Sequence, residues 1–266
     1  MALGAALVHA LWNLALAGAD DTHAATAVAL CAGTLVLAPF ALAYGSVSDE
    51  ALPWAAASAV LELAYFGLLA TAYSRADLSL VYPVSRGLAP LLVLGIGVAA
   101  FGAGTSAGQA AGIVGVGAGV LLVRDLRSRP GRAGLALSLA VACAIAGYTL
   151  VDNEGIEHAN AVGYLAVVLA IPAAVYLAVM LRSRRRAVRS ALGAPAVLAG
   201  CGMVAAYALV LAALELAPAA PVAAVRETSV LIATVLAGRL LSEGVSARRL
   251  SGAALILAGI AALTLA

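Results

Sequence analysis

Ten apolar stretches parted by short polar breaks leave this chain few ways to fold. They run Leu3–Gly18, Ala24–Tyr44, Leu52–Tyr73, Leu78–Phe101, Ala107–Val123, Ala133–Val151, Ala161–Leu181, Ala194–Leu216, Ala219–Leu241 and Leu250–Leu265. Each is 16 to 24 residues long, and a helix crossing the hydrocarbon of a bilayer needs about 20. The 266 residues are 64% hydrophobic and 11% charged, against about 45–50% and about 25% in soluble domains. So much apolar surface cannot be hidden from water and must be solvated by lipid. The expected fold class is therefore an all-α integral membrane protein of ten transmembrane helices, antiparallel to their neighbours because the breaks are short. The first stretch lacks a basic leader and ends at Asp20 and Asp21, so it reads as a membrane helix rather than a cleavable signal.

Several functions are excluded early. A net charge of +2, with no basic face carrying interleaved aromatics, speaks against a nucleic-acid partner. Cys31, Cys143 and Cys201 stand far apart inside apolar stretches and read as small buried hydrophobes, with no C-x-x-C pair. The sequence has no P-loop, no H-E-x-x-H and no G-x-S-x-G, and its three histidines are scattered. Neither an enzyme nor a resident cofactor or metal is expected.

Arginine sets the orientation. All fifteen basic residues are arginine, and thirteen fall in breaks on one side of a ten-helix chain. They are Arg75; Arg124, Arg127, Arg129 and Arg132; Arg182, Arg184, Arg185, Arg186 and Arg189; and Arg239, Arg248 and Arg249. By the positive-inside rule that side is cytoplasmic, which turns both termini outward in a bacterial inner membrane. The remaining two, Arg86 and Arg226, lie inside apolar stretches. They are also related: residues 51–125 slide without a gap onto 191–265 at a shift of 140. Arg86 then meets Arg226, Leu91 meets Leu231, Gly112 meets Gly252 and Gly119 meets Gly259. At a slightly different shift Trp12-Asn13 meets Tyr148-Thr149. Residues 1–125 and 126–266 thus read as two five-helix repeats within one transmembrane domain. Five is odd, so the second repeat is inverted, the plan of many secondary transporters with a site near the midplane.

The fragments His9-Ala10-Leu11-Trp12-Asn13, Tyr82-Pro83-Val84-Ser85-Arg86-Gly87-Leu88-Ala89-Pro90 and Tyr148-Thr149-Leu150-Val151-Asp152 resemble the drug/metabolite transporter superfamily, in particular its EamA-type members. The resemblance spans nearly the whole chain. It implies a cavity lined mainly by the first, third, fourth, sixth, eighth and ninth segments.

Arg86 lies about eight residues into its segment, roughly 12 Å along a helix axis. A charge at that depth must face protein or a watery cavity. Either it clamps a carboxylate or phosphate, or it forms a structural pair with Glu62 or bonds to carbonyls freed by Pro90. Arg226 is read likewise. Its neighbour Glu227 points about 100° away on a helix, so the two should pair poorly. Glu62 and Glu227 are candidates for proton coupling. Trp12, Tyr65, Tyr82, Tyr148 and Tyr207 fall in the segments that would line the cavity, with packing or interfacial anchoring as the alternative. Tyr44 and Tyr73 stand at segment ends and read as anchors. His9 and Asn13 share a face, Asn13 as a substrate ligand or both as a bond between helices. Asp152 reads as a solvated acid near the outer mouth. Gly108, Gly112, Gly115 and Gly119 allow close approach of another helix, either the tenth or a second copy in a homodimer. The leading expectation is a secondary transporter, an exporter, of a small metabolite such as an amino acid or organic anion. A non-transporting scaffold or accessory subunit with structural ion pairs is the alternative.

Overall fold

The computed structural model describes residues 1–101, 106–123, 132–214 and 225–265. Within them the chain is helical: α1 Ala2–Ala17, α2 Thr22–Tyr44, α3 Leu52–Tyr73, α4 Leu78–Phe101, α5 Ala107–Val123 and α6 Arg132–Gly155. There follow α7 Ala161–Ser183, α8 Arg185–Ala191, α9 Ala194–Leu214, α10 Ser229–Leu240 and α11 Ala247–Leu265. Five segments are long and apolar enough to cross a membrane: Thr22–Tyr44, Asp49–Tyr73, Ala133–His158, Ala161–Ser183 and Ala247–Leu265. They become six if α8 and α9, bent 75° to each other, count as one span. Ala2–Ala17, Leu78–Val93, Ala107–Val123 and Ser229–Leu240 are shorter apolar helices. The outer surface is hydrocarbon: Leu42 is 89% exposed and Leu35 73%.

Helix starts follow local chemistry. Asp21 caps α2 by accepting from the amide of Ala24 at 3.0 Å, and Asn160 caps α7 by accepting from Gly163 at 2.9 Å. Ser106 and Gln109 exchange two 3.0 Å bonds at the start of α5, a capping box. The cap of α4 comes from far along the chain. The Glu243 carboxylate accepts from the amides of Leu78 at 2.8 Å and Ser79 at 2.9 Å.

The most extensive packing joins the two sequence halves. Among the described residues α5 lies on α11, α3 on α6 and α7, α1 on α9 and α10, α4 on α6 and α10, and α2 on α7 and α9. The seam between α5 and α11 is made by glycine. A Cβ at Gly119 would stand 2.7 Å from the carbonyl oxygen of Gly252, and one at Gly112 would stand 2.8 Å from that of Gly259. Gly115 faces the same helix, whereas Gly117 meets open space. The glycine partner is thus the last helix of this chain.

Both ends of the bundle are tied across the halves. At the end holding the described arginine-rich loops, Arg249 reaches Asp77 at 3.0 Å and Ser79 at 2.7 Å, and Arg184 reaches Asp21 at 3.1 Å. The Asp21 carboxyl is raised by partial burial, but the Ala24 amide and Arg184 outweigh this and hold it below the usual range. At the other end Val47 and Ala159 form an antiparallel bridge, and Ser48 donates to the carbonyl of His158.

Three expectations need correction. The stretch after residue 183 is not all loop: Arg185–Ala191 forms a helix with Val188 buried. Cys143 is exposed on the surface rather than buried, and Cys31 and Cys201 are half-buried. The expected span Ala219–Leu241 is not continuous where it is described. Val225 and Arg226 are helical, Glu227 and Thr228 form a turn, and α10 starts at Ser229. Residues 215–224, like Arg124, Arg127 and Arg129, lie outside the described residues.

Candidate functional site

Arg86 and Arg226 meet in the middle of the bundle on a single carboxylate. Glu227 Oε1 lies 3.7 Å from Arg86 Nη1 and 3.2 Å from Arg226 Nη2. Adjacent residues pair here, against expectation, because Glu227 sits in the turn and no longer follows the helical rotation. The structural partner of Arg86 is therefore Glu227 rather than Glu62. One carboxylate between two guanidiniums leaves a positive charge over. The second oxygen of Glu227 is buried with no hydrogen-bond partner among the described residues.

Arg86 is further held on two sides. Its guanidinium carbon lies 5.7 Å from the centroid of the Tyr82 ring, and its Nη2 contacts Nε2 of His9. Trp12 Nε1 donates to Nδ1 of the same His9 ring at 3.3 Å. Pro90, one turn beyond, has no N–H for the carbonyl of Arg86.

A cavity of about 350 Å³ opens on this cluster. Its lining includes Arg86, Arg226, His9, Trp12, Glu62, Tyr65, Tyr148, Asp152 and Tyr207. These residues run from mid-bundle toward the end opposite the described arginine-rich loops. Tyr65 and Tyr148 meet edge to face at 5.6 Å between centroids. Glu62 Oε2 is buried without a hydrogen-bond partner among the described residues. All the segments named by the resemblance contribute, and α7 adds Leu165 and Leu169.

Two expected ligands lie off this surface. Tyr82 is 2% exposed and donates to Ser229 at 3.1 Å, so it backs Arg86 from beneath. Asn13 is 1% exposed; its amide donates to the carbonyl of His9 at 2.9 Å and its oxygen accepts from Tyr73 at 2.8 Å. Asn13 thus joins α1 to α3, and Tyr73 is a buried bond rather than an anchor, while Tyr44 is exposed as expected. His9 makes the expected bond between helices, and Asp152 departs from expectation. His9 is the imidazole on Arg86, and its sharing a face with Trp12 at i, i+3 was the available signal. Asp152 lines the cavity and accepts from Tyr164 at 3.1 Å instead of standing in a solvated loop.

Comparison with known proteins fits this architecture. A solved structure described as "Crystal structure of protein" superposes with a TM-score of 0.64 at 18% identity, over 99% of this chain and 96% of the other. That likeness is one of fold. No curated protein matches the sequence. The EamA-like transporter family matches residues 132–265. That is half of the chain, and it contains one of the two central arginines, the shared carboxylate and α11. The chain is a multi-pass membrane protein belonging to the EamA-like transporter family.

Proposed function

We propose that this protein is a secondary transporter that exports a small metabolite, an amino acid or a related organic anion, across a bacterial inner membrane. Arg86 and Arg226 hold the acid group, and Trp12, Tyr65 and Tyr148 cover the rest. The observation that carries the reading is the cluster itself: two arginines at equivalent repeat positions face one cavity and share one carboxylate. The surplus positive charge suits an anion, and guanidinium groups bind carboxylates in a two-pronged fashion.

Alternating access between inverted repeats is part of this proposal. Exchanging α1, α2, α3, α4 and α5 for α6, α7, α9, α10 and α11 turns the main helix pairings into one another. The contact of α3 with α6 becomes that of α9 with α1, and α2 with α9 becomes α7 with α3. The pairings α5–α11, α2–α7 and α4–α10 map onto themselves. The glycine pair 112 and 259 becomes 252 and 119 at the shift of 140. Because the helices interleave this way, the rocking bodies would each contain helices of both halves. With the arginine-rich loops cytoplasmic, the described lining of the first cavity runs toward the outer side. Glu62 is the natural seat for a coupling proton, since Arg86 is answered by Glu227.

The test is a thermal-shift screen of the purified protein against metabolites, repeated with Arg86→Ala. A ligand that binds only the folded state raises the melting temperature. Stabilisation by organic anions that disappears in the variant supports the reading, and unchanged stabilisation refutes the role of Arg86. A scaffold with structural pairs predicts the reverse: no ligand, and an Arg86→Leu, Glu227→Leu double variant at least as stable as either single one.

A further inference from the structure

The arginines border a second chamber that differs in character from the first. It also measures about 350 Å³ and lies between α4, α6 and α11. Ala89, Pro90, Val93, Ile145, Ile260 and Leu263 form its apolar wall, and Arg86, Arg226, Glu227, Thr149 and Thr264 its polar one. Of its hydroxyls, Thr264 is spent on the carbonyl of Ile260 at 2.9 Å. Arg86, Arg226, Ile145 and Thr149 line both chambers. The guanidiniums therefore stand at a threshold, with a space holding Tyr65, Tyr148, Tyr207, Glu62 and Asp152 on one side and, past Glu227, an aliphatic space on the other.

We propose that this chamber receives the apolar chain of an amphipathic organic anion whose acid group rests on Arg86 and Arg226. The proposal rests on the transport reading above and names its substrate class. An acid seated on the arginines has two places for the rest of its carbon skeleton. The first chamber would set that skeleton against Glu62 and Asp152. The second has one carboxylate, Glu227, already held by both arginines, and beyond it aliphatic walls; a chamber of this size falls in the range of small-molecule sites. Each methylene moved from water into such surroundings tightens binding about fourfold.

The experiment is a binding series of straight-chain carboxylates, butanoate to octanoate, on the purified protein in lipid nanodiscs. Arg86→Ala serves as the reference that subtracts partition into lipid. The expected result is a steady gain per methylene in the native protein that flattens in Val93→Phe, with butanoate affinity kept. Thr264→Phe, which narrows the same chamber from α11, is the second variant should Val93→Phe misfold. A flat series in the native protein overturns the chamber assignment while leaving the arginine site standing. A steep series that survives both substitutions also overturns it, by placing the chain elsewhere. A phospholipid that co-purifies one to one with the native protein and is lost in Val93→Phe assigns the chamber to resident lipid, again overturning it. Absence of any Arg86-dependent binding removes the transport reading as well.

Discussion

Arg86 and Arg226 fall on each other at the 140-residue shift between the two halves of the sequence, yet the molecule treats them differently. The Arg86 side chain is 12% exposed and held by Glu227, His9 and Tyr82. That of Arg226 is 38% exposed, and Glu227 is its one ionic partner among the described residues. The sequence says why. At the shift of 140 the counterpart of Glu227 is Gly87 and that of Tyr82 is Val222, while His9 matches Ile145 at the shift that aligns Trp12 with Tyr148. The first half supplied the aromatic and imidazole supports, and the second supplied the acid. Gly87 has no room for anything larger, since a Cβ there would meet Ile256 at 2.7 Å and Val116 at 3.2 Å. By exposure and by partners Arg86 is a fixed post and Arg226 a freer arm.

The largest expected effect comes from removing what both arginines share. Glu227→Gln leaves a buried guanidinium without its counter-charge and should cost about 3 kcal/mol of stability, read from denaturant unfolding in detergent. A cost below about 1 kcal/mol would mean that water, not Glu227, balances the pair. Next comes ligand affinity. Arg86→Ala should weaken an anionic ligand about 100-fold and Arg226→Ala about 10-fold, because hydrogen bonds to charged groups are worth about 1.5–3 kcal/mol and the better-positioned one contributes more. Equal losses would erase the distinction between post and arm. Gly87→Ala should then destabilise by about 1–3 kcal/mol through overpacking against Ile256, and Ile256→Val in that background should recover part of it. No loss would show that the first half could have carried its own acid.

The smallest effect calibrates the rest. Asp21 and Arg184 pair at the bundle end, where Arg184 is 53% exposed. The folded carboxyl lies below its usual value, so its contribution is present above the unfolded pKa of about 3.9 and lost as pH falls through the folded one. Stability should drop by less than about 1 kcal/mol between about pH 5 and about pH 3. Asp21→Asn should flatten that drop, and about 0.5 M salt should nearly abolish it. The ratio between the Arg86 and Arg226 variants should survive the same salt.

Much of this arrangement was legible in the sequence, for definite reasons. Spanning length shows as hydropathy, and an arginine inside an apolar stretch announces an interior face. The glycine phase of α5 and α11 carried the seam. The direction of each side chain was not legible. These helices are apolar on every face, so no hydrophobic stripe says how each is rotated. Tyr65 and Tyr82 look alike in sequence, and only packing sends one to the cavity and the other beneath Arg86. The turn at Glu227 and Thr228 carries neither glycine nor proline, and so the pairing of Arg226 with its neighbour left no mark. Asn13 and Tyr73 are 60 residues apart, a bond that exists only once α1 and α3 have met.

Under the proposed alternating access, the cap on α4 governs how the end holding the described arginine-rich loops would give way. The first amides of that helix rest on Glu243, which belongs to the opposite half of the chain. Drawing the two loops apart strips those N–H groups of their acceptor and strips the acid of its donors. Both must then be wetted in the same instant, since exposed helix starts need a partner of some kind. Under the proposed alternating access, opening would be a hydration reaction as much as a mechanical one. Lowering the activity of water with an excluded osmolyte should hold this end shut.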